Sequence, residues 1–136
     1  MELWIIYSLI AIVLWGFWSF FGKLATNYIP STSIKIVDTI GFLIIAVILL
    51  FVTKFKIPSS KIGIGYAILA GLFAASGGVF YYLALKNGKL SAVVPLTSLY
   101  VAVTVLLSVL ILKENINLLQ GAGIVLAIVA AVLLSL

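Results

Sequence analysis

The sequence contains no Cys and no His, which excludes disulfides, thiolate or imidazole metal sites and every nucleophile-histidine pairing. What remains for chemistry is three acids (Glu2, Asp38 and Glu114), eight Lys, and a set of hydroxyl and aromatic side chains. Lys35 precedes Asp38 by three residues, a spacing that sets both on one face of a helix. An ionisable group inside an apolar segment is a functional candidate. It could couple proton movement or hold a cationic substrate; alternatively, Lys35 could snorkel to the headgroups and keep Asp38 shallow. Glu114 lies between two long apolar runs. With Asn115 it suits the exposed N–H groups and positive dipole end of the helix that follows, so it is expected to mark a helix start rather than to carry protons.

The aromatic and hydroxyl residues suggest a lined path. Ser8, Trp15 and Ser19 share a helical face with Trp4, and Trp18 and Gly22 lie beside it. Trp4 fits an interfacial belt, whereas Trp15, Trp18 and Ser19 lie past the middle of their run and are predicted to face a cavity. Thr97, Thr104 and Ser108 align on another run. Pro95 just upstream removes a backbone donor and frees a carbonyl one turn earlier, and backbone loosened in this way can coordinate a substrate. The same hydroxyls could equally bond to carbonyls of their own helix. Tyr82 is the preferred ligand contact, with Tyr81 and Tyr100 as further phenols and Ser76-Gly77-Gly78 leaving space beneath Tyr82. The substrate set expected from the sequence is therefore Trp15, Trp18, Ser19, Tyr82, Thr97, Tyr100 and Thr104, with Asp38 and Lys35 as the charged pair.

The elements that must position these residues follow from composition. Of 136 residues, 65% are hydrophobic and 8% charged, against roughly 45–50% and about 25% in soluble domains. A spanning helix needs about 20 apolar residues. Five runs qualify: 3–22, 34–52, 62–85, 90–112 and 116–136. Their connections are too short for a core of their own, so an all-α membrane protein with one five-helix domain over 1–136 is expected. The first run follows Met1-Glu2 with no basic n-region and is expected to remain as a helix. The net charge of +5 is carried on loops, with no basic face for nucleic acid.

Lys distribution bears on orientation. Lys54, Lys56, Lys61 and Lys113 fall on the face of the N-terminus; Lys23, Lys35, Lys86 and Lys89 fall on the opposite face. With the two sides equal and no Arg, the positive-inside bias vanishes, and insertion in both orientations becomes a serious hypothesis. Glu2 and the cluster at 54–61 could still orient the chain. Small residues recur every four positions in the third run (Gly63, Ala67, Gly71, Ala75) and the fifth (Gly123, Ala127, Ala131), a pattern that lets helices approach closely. The terminal stripe is the expected dimer contact, although both stripes could instead pack within one unit.

"LWGFW" at 14–18, "YYLALKNGKLSAVVPLTSLYVAVTVLLS" at 81–108 and "LKENINLLQGAGIVL" at 112–126 occur in an order and spacing that resembles the EamA-like domain of the drug/metabolite transporter superfamily. The resemblance covers the whole chain. It implies one half of an inverted-repeat, ten-helix transporter, completed by an antiparallel second copy or by a partner of the same kind. It also implies substrates such as amino acids or their derivatives, nucleotide sugars or organic drugs. The related four-helix small multidrug-resistance proteins couple transport through a Glu in the first helix; here that helix has no acid between Leu3 and Gly22.

The expected function is thus export of small metabolites by an antiparallel homodimer through alternating access. No cofactor, metal or enzymatic activity is expected, and membrane lipid and a small-molecule substrate are the partners. The expected location is a prokaryotic cell membrane, spanned several times. The rivals are a non-transporting membrane interaction or regulatory subunit, and one half of a heterodimeric transporter.

Overall fold

A computed structural model describes residues 2–56 and 59–136; the expected domain also includes Met1, Ile57 and Pro58, which lie outside the described residues. Six helices follow in order: α1 Leu3–Ala25, α2 Ser31–Val52, α3 Lys61–Asn87, α4 Leu90–Ser98, α5 Tyr100–Ile111 and α6 Leu118–Ser135. No strand occurs among the described residues. Since α4 and α5 divide one apolar stretch, Leu90–Ile111, the described residues hold five segments long and apolar enough to cross a membrane.

Boundaries differ from expectation where caps and turns outweigh hydropathy. α2 starts at Ser31, directly after Pro30, so Asp38 is about two turns into the helix rather than one. Its end is fixed by Lys54 at φ 53°. Around that residue, Phe55 N–H donates to Leu50 C=O (2.8 Å) and Lys54 N–H to Phe51 C=O (3.0 Å). This pairing satisfies carbonyls that the last helical turn would leave open.

The fourth span is not one continuous helix. Pro95 lies inside α4, and at Leu99 the ladder tightens, with Leu99 N–H to Leu96 C=O at 3.2 Å and Ala102 N–H to Leu99 C=O at 2.9 Å. A missing donor and a clashing ring in mid-helix favour such a break.

The start of α6 corrects the reading of Glu114 and Asn115 as its capping residues. Asn117 is the cap: its side chain accepts from Gln120 N–H at 2.8 Å, and the Gln120 side chain accepts from Asn117 N–H at 3.0 Å. This reciprocal capping box serves two donors at once, an advantage that neither Glu114 nor Asn115 shares.

The chain divides into two compact units, Met1–Asn87 and Gly88–Leu136. In the first, α1 and α2 both pack on α3. Their buried residues are Gly22 of α1, Ser31 and Ile34 of α2, and Gly78, Tyr82 and Leu85 of α3. These mark the end of α1, the start of α2 and the end of α3, so the three helices meet at one end of the unit. The expected stripe Gly63, Ala67, Gly71, Ala75 is exposed; close approach occurs instead at Gly22 and Gly78. In the second unit α4 packs on α6, and Val93 and Ala131 are buried. The exposed surface of both units is dominated by large apolar side chains, which suits hydrocarbon surroundings.

Candidate functional site

The packed end of the first unit gathers its charged and aromatic side chains. Lys35 Nζ lies 2.7 Å from Asp38 Oδ2, with side chains only 13% and 11% exposed. From α1, Trp18 Nε1 donates to the other carboxylate oxygen, Asp38 Oδ1, at 3.0 Å. Each oxygen of the acid therefore has its own donor, and two helices are tied through it. An ion pair shielded from water is stable only when its remaining hydrogen-bonding capacity is met in this way. The Lys35 ammonium also sits 4.9 Å from the centre of the Phe42 ring, a cation–π contact one further step along the same face of α2.

α3 completes the cluster with Tyr81 and Tyr82. The Trp18 indole stacks on Tyr81, with centroids 5.0 Å apart at 14°, and meets Tyr82 tilted at 5.8 Å. Ser19 lies near the Tyr81 hydroxyl, an oxygen that is buried with no hydrogen-bond partner among the described residues. Two glycines make the close packing possible. A Cβ at Gly22 would come 2.8 Å from Tyr82 Cε1, and one at Gly78 would come 3.1 Å from Lys35 Cε. Gly78 thus lets the Lys35 stem lie flat on α3, and the space expected beneath Tyr82 is supplied by Gly22 rather than by Ser76-Gly77-Gly78.

Further bonds hold the helices together near the same end. Ser31, a cap residue by type, directs its hydroxyl to Tyr82 C=O on α3 at 3.1 Å, and Lys23 donates to Leu85 C=O. A cation near the last turn of α3 also suits its negative dipole end. Beside the cluster lies an open cleft of about 340 Å³ lined by Trp18, Phe21, Gly22, Ala25, Ile29, Ile34, Val37, Asp38 and Tyr82.

The second unit is arranged differently. Thr97 donates to Val93 C=O at 2.8 Å, Ser98 to Pro95 C=O at 2.6 Å, Thr104 to Tyr100 C=O at 3.1 Å and Ser108 to Val105 C=O at 2.9 Å. All four hydroxyls are satisfied on their own chain segment. Between α5 and α6 an open cleft of about 420 Å³ is lined by Val101, Val105, Ser108, Glu114, Gln120, Gly123 and Ala127 among others. Glu114 borders this cleft, and Ala131 is already packed within the chain at 6% exposure.

The profile of the EamA-like transporter family matches residues 2–136, nearly the full chain. The chain belongs to the EamA-like transporter family. An uncharacterized protein of the archaeon Methanocaldococcus jannaschii is 38% identical to it over 136 residues, covering 100% of this chain and 98% of that protein. No solved structure matches. As an EamA-like chain, it is an integral membrane protein of a small-molecule transporter family, and its five spans correspond to half of a ten-helix transporter.

Of the residues expected at a site in this EamA-like chain, the first unit brings together Trp18, Ser19, Lys35, Asp38 and Tyr82. Trp15 is 62% exposed, and Tyr100 on α5 is likewise exposed. Thr97 and Thr104 face carbonyls of their own helices. Sequence reasoning missed Phe42, Ser31 and the roles of Gly22 and Gly78. Phe42 was findable, since it follows Lys35 by two helical turns; the glycines were not, because their role depends on which helix lies opposite.

Proposed function

We propose that the chain exports small metabolites across a prokaryotic cell membrane, as an antiparallel homodimer in which two five-helix domains, each spanning residues 1–136, alternate access to a shared site. The observation that carries this reading is the Lys35–Asp38 pair held within the spans and bonded from a second helix by Trp18. Ionisable groups at such depth are costly, and transporters retain them where a load or a proton must be handled. Trp18, Ser19 and Tyr82 form the rest of the minimal binding set, and Trp15, Thr97, Tyr100 and Thr104 join it where a second copy closes over the path. The archaeal relative supports the prokaryotic setting, and the equal Lys distribution supports pairing of opposite orientations. Gly123 and Ala127, exposed on α6, are the proposed contact between copies, with Ala131 behind them.

The test is flux in liposomes that contain the purified chain alone, screened with amino acids, amines, nucleotide sugars and organic drugs. Flux that is lost in Asp38→Asn supports the reading. No flux for any compound favours a non-transporting subunit or half of a heterodimer. Flux that survives Asp38→Asn removes the pair from the mechanism.

A further inference from the structure

The two members of the ion pair do not face the same space. Asp38 lines the 340 Å³ cleft and Lys35 does not; the lysine stem lies across Gly78, with its ammonium against Phe42. The cleft therefore offers a ligand one carboxylate, three aromatic rings (Trp18, Phe21 and Tyr82) and an apolar wall that includes Ile34 and Val37. We propose that this cleft binds an organic monocation, an ammonium group on an apolar body, and that Lys35 is its tethered stand-in. The incoming ammonium takes the place of the Lys35 ammonium at Asp38, and Lys35 returns when the ligand leaves.

Charge compensation selects this class. An isolated carboxylate inside a span is costly, and exchange of one ammonium for another leaves Asp38 compensated throughout. Trp18 Nε1 stays on the other oxygen during the exchange. The displaced lysine has a long stem and sits in the second turn of α2, from which it can reach the headgroup region. An organic anion would meet a carboxylate in the cleft and be repelled, and a neutral alcohol could at most donate one hydrogen bond to Asp38 without replacing the Lys35 charge. The aromatic rings add attraction for a cation that they would not give to either. The apolar wall requires a body on the cation, so a bare inorganic ion is a poor fit. The volume is at the lower end for small-molecule sites, which favours a compact ligand.

This inference names the substrate class of the site in the transport reading and rests on that reading for movement, though not for binding. The experiment is equilibrium binding of radiolabelled phenethylammonium to the full chain in nanodiscs, with empty nanodiscs subtracted. Saturable binding is expected, displaced by neither phenylpropionate nor phenylethanol. Asp38→Asn should weaken it by at least about tenfold, and Lys35→Met, which removes the internal competitor, should tighten it by about tenfold. Lys35→Arg keeps a cation on Asp38 and guards against a folding artefact: it should bind no tighter than the parent. Competition by phenylpropionate, or a Lys35→Met variant that binds no better than the parent, overturns the proposal. If binding follows the expected order while the liposomes show no flux, the transport reading fails and the cation site stands. If flux of a non-cationic compound is found with no phenethylammonium binding, the site proposal fails and the transport reading stands.

Discussion

The two units differ in whether polar side chains bond across to another helix; in both, some turn back to their own segments, as Ser8, Thr26, Thr39 and Thr53 do in the first. In the first, Trp18, Lys23 and Ser31 reach across to a neighbouring helix, and Trp18 meets there a carboxylate already paired with Lys35. In the second, Thr97, Ser98, Thr104 and Ser108 turn back to carbonyls within their own segments. A hydroxyl bonded to its own helix removes an unsatisfied group from hydrocarbon and does little else. A polar group bonded between helices fixes their packing and leaves a partner to be exchanged. The polar bonds between helices lie in the first unit, whereas the hydroxyls of the second keep to their own segments.

The largest effect that would sharpen this contrast is at Asp38. Asp38→Asn should destabilise the folded protein by about 2 kcal/mol, since Lys35, 13% exposed in the pair, loses its charged partner and must turn toward the headgroups. Lys35→Met combined with Asp38→Asn should recover most of that loss, because removal of both charges leaves nothing uncompensated. Thermal unfolding in detergent reads both, and additive losses would mean that the pair does not act as one unit.

Gly22→Ala should come next, at about 1–3 kcal/mol, because its Cβ would meet the Tyr82 ring at 2.8 Å and Tyr82 is 1% exposed. Gly78→Ala should cost less, since the atoms it meets belong to the flexible end of Lys35. The opposite order, measured in the same assay, would place the tightest packing at the wrong glycine.

In the second unit the effects should be smaller. Asn117→Ala removes the capping box of α6 and should cost about 1 kcal/mol. Thr104→Val should change stability by no more than about 0.5 kcal/mol, since the hydroxyl it removes bonds to Tyr100 C=O of its own helix. A loss of several kcal/mol in Thr104→Val would show that this hydroxyl has a partner beyond its own helix and would break the contrast.

The spans were legible because the bilayer sets a length that apolar runs either meet or miss. The Lys35–Asp38 pair was legible because i, i+3 spacing is local. The third member of that cluster was not: Trp18 lies 20 residues before Asp38, and its role depends on the packing of α1 and α2 on α3. The Gly63 to Ala75 stripe does not pack within its own unit, since a small residue permits approach without requiring it. Pro95 signalled a loosened backbone, but the position of the break, at Leu99, depends on how the following turn closes. At the α6 start, Asn115 and Asn117 both suit a cap, and Gln120 three residues after Asn117 decided between them.

The central claim is that this one chain supplies both inverted halves of a transporter. With no native Cys, Ser59→Cys and Asn87→Cys can be made separately, one before the start and one at the end of α3, and labelled with a membrane-impermeant thiol reagent in intact cells. The account predicts substantial labelling from outside at both positions, from the two orientations of the chain. Labelling at one position only would contradict it: the chain would then insert one way, and the inverted half would have to come from a different protein.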